Sequence, residues 1–351
     1  MAAVAPPVAG SPARARTLAW QLLGAVILLA LMWVLREAMI VGFGSVLVAA
    51  ALLAGARPLC TRFGLKRRWA VLIVLAAFTA AVALLFLALG NPVGEQLRSL
   101  RDSLPRAWDA LQQWLARQPW GVPVLDWLGD TKEMQLPWGG LGGVASGTLQ
   151  AVSVTLLIVL MGIYLAVDAP MYRHGLVRLF PVPRRERIAA ALDDGGEALT
   201  RWLLGQGVVM LAVGIITTLG LMLIGMPLAV VLGLIAGLLE FVPFFGPVVA
   251  GLLVVLVAFP EGPQMAMYAA LVMLAVQQVE NHLLTPLVQR WAVELPPVLS
   301  LGSVLVFGTL FGLPGIVFGT PLMVLVMVLV RRLYVEETLE GRAAPPSGPD
   351  G

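Results

Sequence analysis

The sequence predicts an all-α protein, a polytopic transmembrane helix bundle of about eight crossings with broken or re-entrant helices in its C-terminal third. Three observations carry this reading. Of 351 residues, 59% are hydrophobic and 12% charged, with a mean hydropathy of +0.91. A soluble domain has roughly 25% charged residues, so this chain cannot coat a water-facing surface and must use lipid as part of its solvent. The apolar residues fall in runs near the ~20 residues that cross a bilayer. In the last third, Pro and Gly cut those runs short.

Taken in order, residues 1–16 are Ala/Pro-rich with Arg14 and Arg16, and are expected to be a disordered cytoplasmic N-terminus. The apolar run 17–35 exceeds the ~7–15-residue core of a signal peptide, and a second run follows at once, so it reads as a retained span. Further runs cover 38–56, 69–90, 144–167 and 207–224. The denser C-terminal third holds 228–242, 245–259, 265–281, 297–312 and 314–330. Several of these suit half-helices or re-entrant hairpins better than full spans. The transmembrane region as a whole is 17–335, and the tail 336–351 is expected to be disordered.

Two segments lie outside the runs. In 91–143, Leu97, Leu100, Leu104, Trp108, Leu111 and Trp114 recur at three- and four-residue steps, one apolar face of a helix. Pro105 is expected to kink it or to start a second helix. The segment reads as a helical insertion lying on the membrane or the bundle, or as a gate over a pathway. In 168–206, Ile188, Leu192, Leu199, Trp202 and Leu203 alternate with Asp193, Asp194 and Glu197, an amphipathic helix feeding the next span.

Basic residues set the orientation. Arg57, Arg62, Lys66, Arg67 and Arg68 follow one run; Arg173, Arg178, Arg184, Arg185, Arg187 and Arg201 lie in 168–206; Arg331 and Arg332 follow the last run. With alternating spans these groups share one side with Arg14 and Arg16. That side is expected to be the cytoplasm, with both termini in it and 91–143 external.

Several chemistries are missing. The net charge of +3 is scattered rather than gathered near stacking aromatics, which argues against nucleic-acid binding. The chain has two lysines, Lys66 and Lys132, and neither stands in a G-x-x-x-x-G-K-S/T loop. No H-E-x-x-H occurs, and no G-x-S-x-G elbow. The single Cys60 can form no intramolecular disulfide and no cysteine zinc site. No catalytic residue, metal or cofactor is expected, and the chain is not read as an enzyme.

Charged groups inside apolar runs carry the functional signal, because a mid-membrane carboxylate costs about 2.5–3.5 kcal/mol on insertion scales. Glu240 ends PLAVVLGLIAGLLE, with Gly233 and Gly237 on a stripe that lets another helix approach. Pro243, Gly246 and Pro247 then break the helix, and a broken helix offers backbone groups to an ion or polar solute. Glu280 stands in AVQQVENHLLTP with Gln277, Gln278, Asn281 and His282. Gln277, Glu280 and Asn281 share a helical face, and Pro286 is expected to end or kink that helix. Gly312, Pro314, Gly319 and Pro321 in LFGLPGIVFGTPL loosely echo GMPLAVVLG at 225–233. These twelve positions, Glu240, Pro243, Gly246, Pro247, Gln277, Glu280, Asn281, Pro286, Gly312, Pro314, Gly319 and Pro321, are the candidate pathway.

YLAVD at 164–168, RWLLGQ at 201–206, GMPLA at 225–229, LLEFVPFFGP at 238–247, VENHLLTPLV at 279–288, LPPVLSLGSVLVFG at 295–308 and LPGIVFGTPL at 313–322 occur in an order and spacing that resembles the AI-2E (autoinducer-2 exporter) transporter family. RWAVEL at 290–295 departs from the glycine-rich turn expected there. The resemblance implies about eight crossings in a bacterial cytoplasmic (inner) membrane and no ATP-binding module. It allows a homo-oligomer, with the lipid bilayer and a small solute or monovalent cation as partners. It also implies a secondary transporter or permease that exports a small organic solute such as the quorum-sensing signal autoinducer-2. The alternative within the family is Na⁺(Li⁺)/H⁺ antiport. A non-transporting membrane scaffold is the rival of a different class; it would keep its polar residues at helix ends around a sealed core. Glu240 and Glu280 suit an antiporter, whereas Gln277, Gln278 and Asn281 suit a neutral polyol.

Overall fold

The computed structural model describes residues 34–130, 141–289 and 295–339. The N-terminal 1–16, nearly all of the run 17–35, part of the 91–143 insertion, Arg290–Glu294 of the RWAVEL segment and most of the tail lie outside them. The described residues are helical throughout, joined by short turns.

Helix α1, Arg36–Phe63, turns at Gly64 (φ 63°) into α2, Arg67–Ala116. The 50 residues of α2 reach about 75 Å at 1.5 Å per residue, far beyond the ~30 Å hydrocarbon core. Its first 18 residues are apolar enough to cross. The remainder runs on as an arm that docks Leu100 and Leu104 onto the rest of the bundle. Pro105 was expected to kink this helix or to start a second one; no second helix starts there, and the helix runs on through it unbroken. The ring sits on the exposed side, and the buried stripe of Leu100, Leu104, Ala107 and Leu115 holds the helix in register. After a turn, α3 (Gly121–Asp130) folds back, and Trp114 stacks edge-on against Trp120 at 5.8 Å.

Helix α4, Leu141–Val167, is followed after Asp168 by α5, Ala169–Arg178, bent from it by 86°. Then α6, Arg185–Leu223, runs 39 residues without interruption, so the amphipathic segment and the following span are one helix. Leu199 and Trp202, read as its apolar face, are buried against α1 and the C-terminal helix.

The C-terminal third is made of short pieces. Helix α7, Ala229–Leu239, has 11 residues and α8, Phe245–Ala258, has 14, about 17 and 21 Å of rise. Neither crosses a ~30 Å core. Met226 just ahead of α7 and Ala229 at its start share one apolar cluster with Val257 and Ala258 at the end of α8. Both ends of this hairpin are therefore at the same end of the bundle, and α7–α8 is re-entrant. Helix α9, Pro263–Val279, continues through a π-helical stretch, Glu280–Leu284, into α10, Thr285–Gln289. Pro286 was expected to end or kink this helix, and it does not end it. The π turn, in which Thr285 N–H donates to the Glu280 carbonyl five residues back, absorbs the misfit that a proline ring makes with the preceding turn. A last hairpin joins α11, Pro297–Phe311, to α12, Leu313–Val330, and a π-helical stretch, Arg331–Leu339, follows.

Four described helices are long and apolar enough to cross a membrane, and the bent pair α4–α5 counts as a fifth. Ion pairs bring the basic groups to one end: Arg68–Asp168 at 2.8 Å, Arg173–Asp193 and Arg332–Asp194 at 2.5 Å each.

Candidate functional site

The site forms where the α7–α8 hairpin tip meets α6 and α9. The tip reaches this depth because α7 packs tightly along α6. A Cβ on Gly237 would lie 2.6 Å from the Met210 carbonyl oxygen and 3.0 Å from Gly214 Cα, so only hydrogen fits. Gly233 likewise faces Gly214 and Thr218. This is the small-residue packing of membrane helices.

Glu240 closes α7 and is 2% exposed. Its backbone carbonyl, one of the orphan acceptors of a helix end, takes a 2.5 Å hydrogen bond from Gln206 Nε2 on α6. Gln206 is five residues past Arg201, about 7.5 Å of rise, and no charged residue follows on α6. The tip therefore sits just inside the apolar zone, near the basic end of the bundle.

The chain reverses within a few residues. Phe245 N–H donates to the Pro243 carbonyl at 2.8 Å across Phe244, whose φ is 65° and ψ −43°. That is a γ-turn in its strained form, rare for a residue with a side chain. Gly246 closes the reversal against the Leu239 carbonyl, where a Cβ would collide. Trp202 meets Phe241 edge-on at 5.6 Å and walls the tip off.

From α9, Glu280 completes the site. The Glu280 side chain lies near that of Glu240, close enough for the two carboxyl groups to act on one another's charge, and Gln277 Nε2 donates to Glu280 Oε2 at 2.8 Å. Two neighbouring carboxylates repel unless a proton or a cation lies near them. The pair is therefore a place where a proton and a cation can compete for the same oxygens.

The residues matched by the family described as "AI-2E family transporter" are 22–334, which takes in every element of this site. The chain belongs to the AI-2E transporter family. Its relatives carry matching descriptions. It is 23% identical over 303 residues to "Putative transport protein YueF" of Bacillus subtilis (strain 168), covering 80% of this chain and 82% of that one. It is 27% identical over 326 residues to "Putative transport protein MT0215" of Mycobacterium tuberculosis, covering 89% of each. It is 27% identical over 284 residues to "Putative permease PerM" of Escherichia coli (strain K12), covering 76% and 79%.

Within this AI-2E chain the candidate residues separate into groups. Glu240, Gln277 and Glu280 converge, and Pro243, Gly246 and Pro247 shape the tip beside them. Asn281 and Pro286 are exposed, whereas Gln277 and Glu280 are half-buried. Gly312, Pro314, Gly319 and Pro321 belong to the α11–α12 hairpin. Gly312 (φ 68°) makes its turn, Pro314 opens α12, Gly319 lets α12 approach Ser303 on α11, and Pro321 is buried inside α12. The two hairpins meet across an apolar cavity of about 480 Å³ lined by Pro243, Phe244, Phe245, Leu301 and Ile316. Gln206 is the residue missed as a site member; its only signal was the G-Q pair of RWLLGQ.

Proposed function

We propose that this AI-2E family member is a secondary transporter of a bacterial cytoplasmic membrane in which the Glu240–Glu280 pair exchanges protons for a monovalent cation such as Na⁺ or Li⁺. One observation carries the reading: two acids forty residues apart are brought together at the tip of a re-entrant hairpin. Two carboxyl groups without a proton between them repel, and a monovalent cation relieves that repulsion as a proton does. Broken helices at such a tip expose carbonyl oxygens that complete a cation's coordination. A scaffold would gain nothing from this arrangement, since amides there would cost less.

A second reading, export of a small neutral solute such as autoinducer-2, is favoured by the amides of Gln206 and Gln277 beside the pair, which suit a hydroxylated ligand. Purified protein in liposomes separates the two. Exchange predicts proton movement driven by a Na⁺ or Li⁺ gradient with no organic solute present. Export predicts solute flux that does not respond to either ion.

A further inference from the structure

The corner where α1 turns into α2 and α4 turns into α5 carries a feature independent of what is transported. Because α4 is a spanning helix and α5 is bent from it by 86°, α5 lies close to the membrane plane. The Arg68–Asp168 ion pair ties that bend to the start of the α2 span, so both stand at one level, where apolar helix gives way to loop.

No residue of α5 is buried. One side is held to α6, where Arg173 binds Asp193 and the Ala189 carbonyl. Beside it, Tyr172, Leu176 and Leu179 recur at steps of four and three and stand exposed, Leu179 by 79%. Across the corner Phe63 and Trp69 are 72% and 63% exposed. Aromatic and leucine side chains on an in-plane helix, at the level of the spanning helix ends, are the signature of an element seated at the headgroup–acyl boundary.

Lys66, Arg67 and Arg68 open onto a cavity of about 680 Å³ that they share with Asp168, Pro170 and Met171. Asp168 is bound by Arg68, and among the described residues no acidic side chain reaches Lys66 or Arg67. The first turn of α2 carries no acidic residue, so the positive end of the helix adds to their field. Three cations facing one carboxylate, at the edge of a lipid-facing platform, leave a cleft short of negative charge where headgroups lie.

We infer that this cleft binds the phosphate headgroup of an anionic phospholipid, with Lys66 and Arg67 on the headgroup and the Tyr172–Leu176–Leu179 stripe among its acyl chains. A zwitterionic lipid brings its own cation into the same field and is disfavoured.

The test is native mass spectrometry of the full-length protein titrated with phosphatidylglycerol and phosphatidylcholine of matched acyl chains. Wild type is expected to retain phosphatidylglycerol preferentially. Lys66→Gln with Arg67→Gln is expected to lose roughly tenfold or more of that preference, leaving phosphatidylcholine binding unchanged. Charge-conserving Lys66→Arg with Arg67→Lys should keep it, and inorganic phosphate at equal concentration should not displace the lipid. Equal retention of the two lipids by wild type overturns the inference whether or not the variants fold. So does an unchanged preference in the double Gln variant, or displacement by inorganic phosphate.

Discussion

At the scale of single residues, the site depends on placing costly groups where neighbours satisfy them. Glu240 is almost fully buried, and the groups around it are specific: the Glu280 carboxyl, the Gln206 amide on its carbonyl, and Gln277 one step further. Phe244 bears a different cost. A residue with a side chain at φ 65° carries about 1–2 kcal/mol of strain, and its half-exposed ring returns little packing. Phe244→Gly is therefore predicted to raise the melting temperature of the purified protein, and a fall would show that the aromatic ring outweighs the strain. The acids were legible in the sequence because a carboxylate in an apolar run is expensive. Their pairing was not, because it depends on the depth at which α7 and α9 each end. Gln206 was not picked out because an amide near a helix end has many ordinary roles. Helical spacing puts Asn281 on one face with Gln277 and Glu280, but spacing alone does not show that its side chain is exposed.

At the scale of elements, glycine and proline gave different returns. The break after Glu240 was readable because Pro243, Gly246 and Pro247 cluster there, and the chain does reverse at Phe244. Isolated prolines misled: Pro105 is carried by a helix whose other face is buried, and Pro286 by a π turn. A proline costs a helix about 3 kcal/mol, which tertiary packing of a long apolar stripe offsets. Gly237 is where α7 depends on its neighbour most directly. Gly237→Val would drive a side chain into the Met210 carbonyl and Gly214, and overpacking of this kind costs about 1–3 kcal/mol. The variant is predicted to melt lower and to lose transport, since the tip can no longer reach α9. A variant with wild-type stability and flux would mean the α6–α7 contact does not position the tip. The arm of α2 holds the other end of the hairpin: Gln96 Oε1 accepts from Val231 N–H at 3.1 Å, and Trp114 packs on Phe259 at 5.6 Å.

At the scale of the whole molecule, the bundle is polarised. Arg68, Arg173 and Arg332 gather at one end through their ion pairs, and the arm of α2, which carries Arg98, Arg101 and Arg106, projects at the other. By the rule that basic loops stay inside, the ion-paired end is predicted to be cytoplasmic. After Cys60→Ala, a cysteine at the exposed Ser99 should react with an impermeant maleimide added to intact cells, and reaction only from the cytoplasmic side would invert the orientation. With that orientation the Glu240–Glu280 pair would lie toward the cytoplasmic side, reached by a hairpin that enters from the opposite one. Under the proposed exchange, such a placement would make the pair a coupling group rather than a surface charge. The most direct measurement is Na⁺- or Li⁺-driven proton flux into liposomes holding wild type, Glu240→Gln or Glu280→Gln. Both variants are predicted to insert and fold normally, because Gln fills the same volume, and at least one is predicted to lose coupled flux by tenfold or more on the order of a lost charge-assisted contact. Wild-type flux in both variants at every pH tested would contradict the assignment of the carboxyl pair as the site.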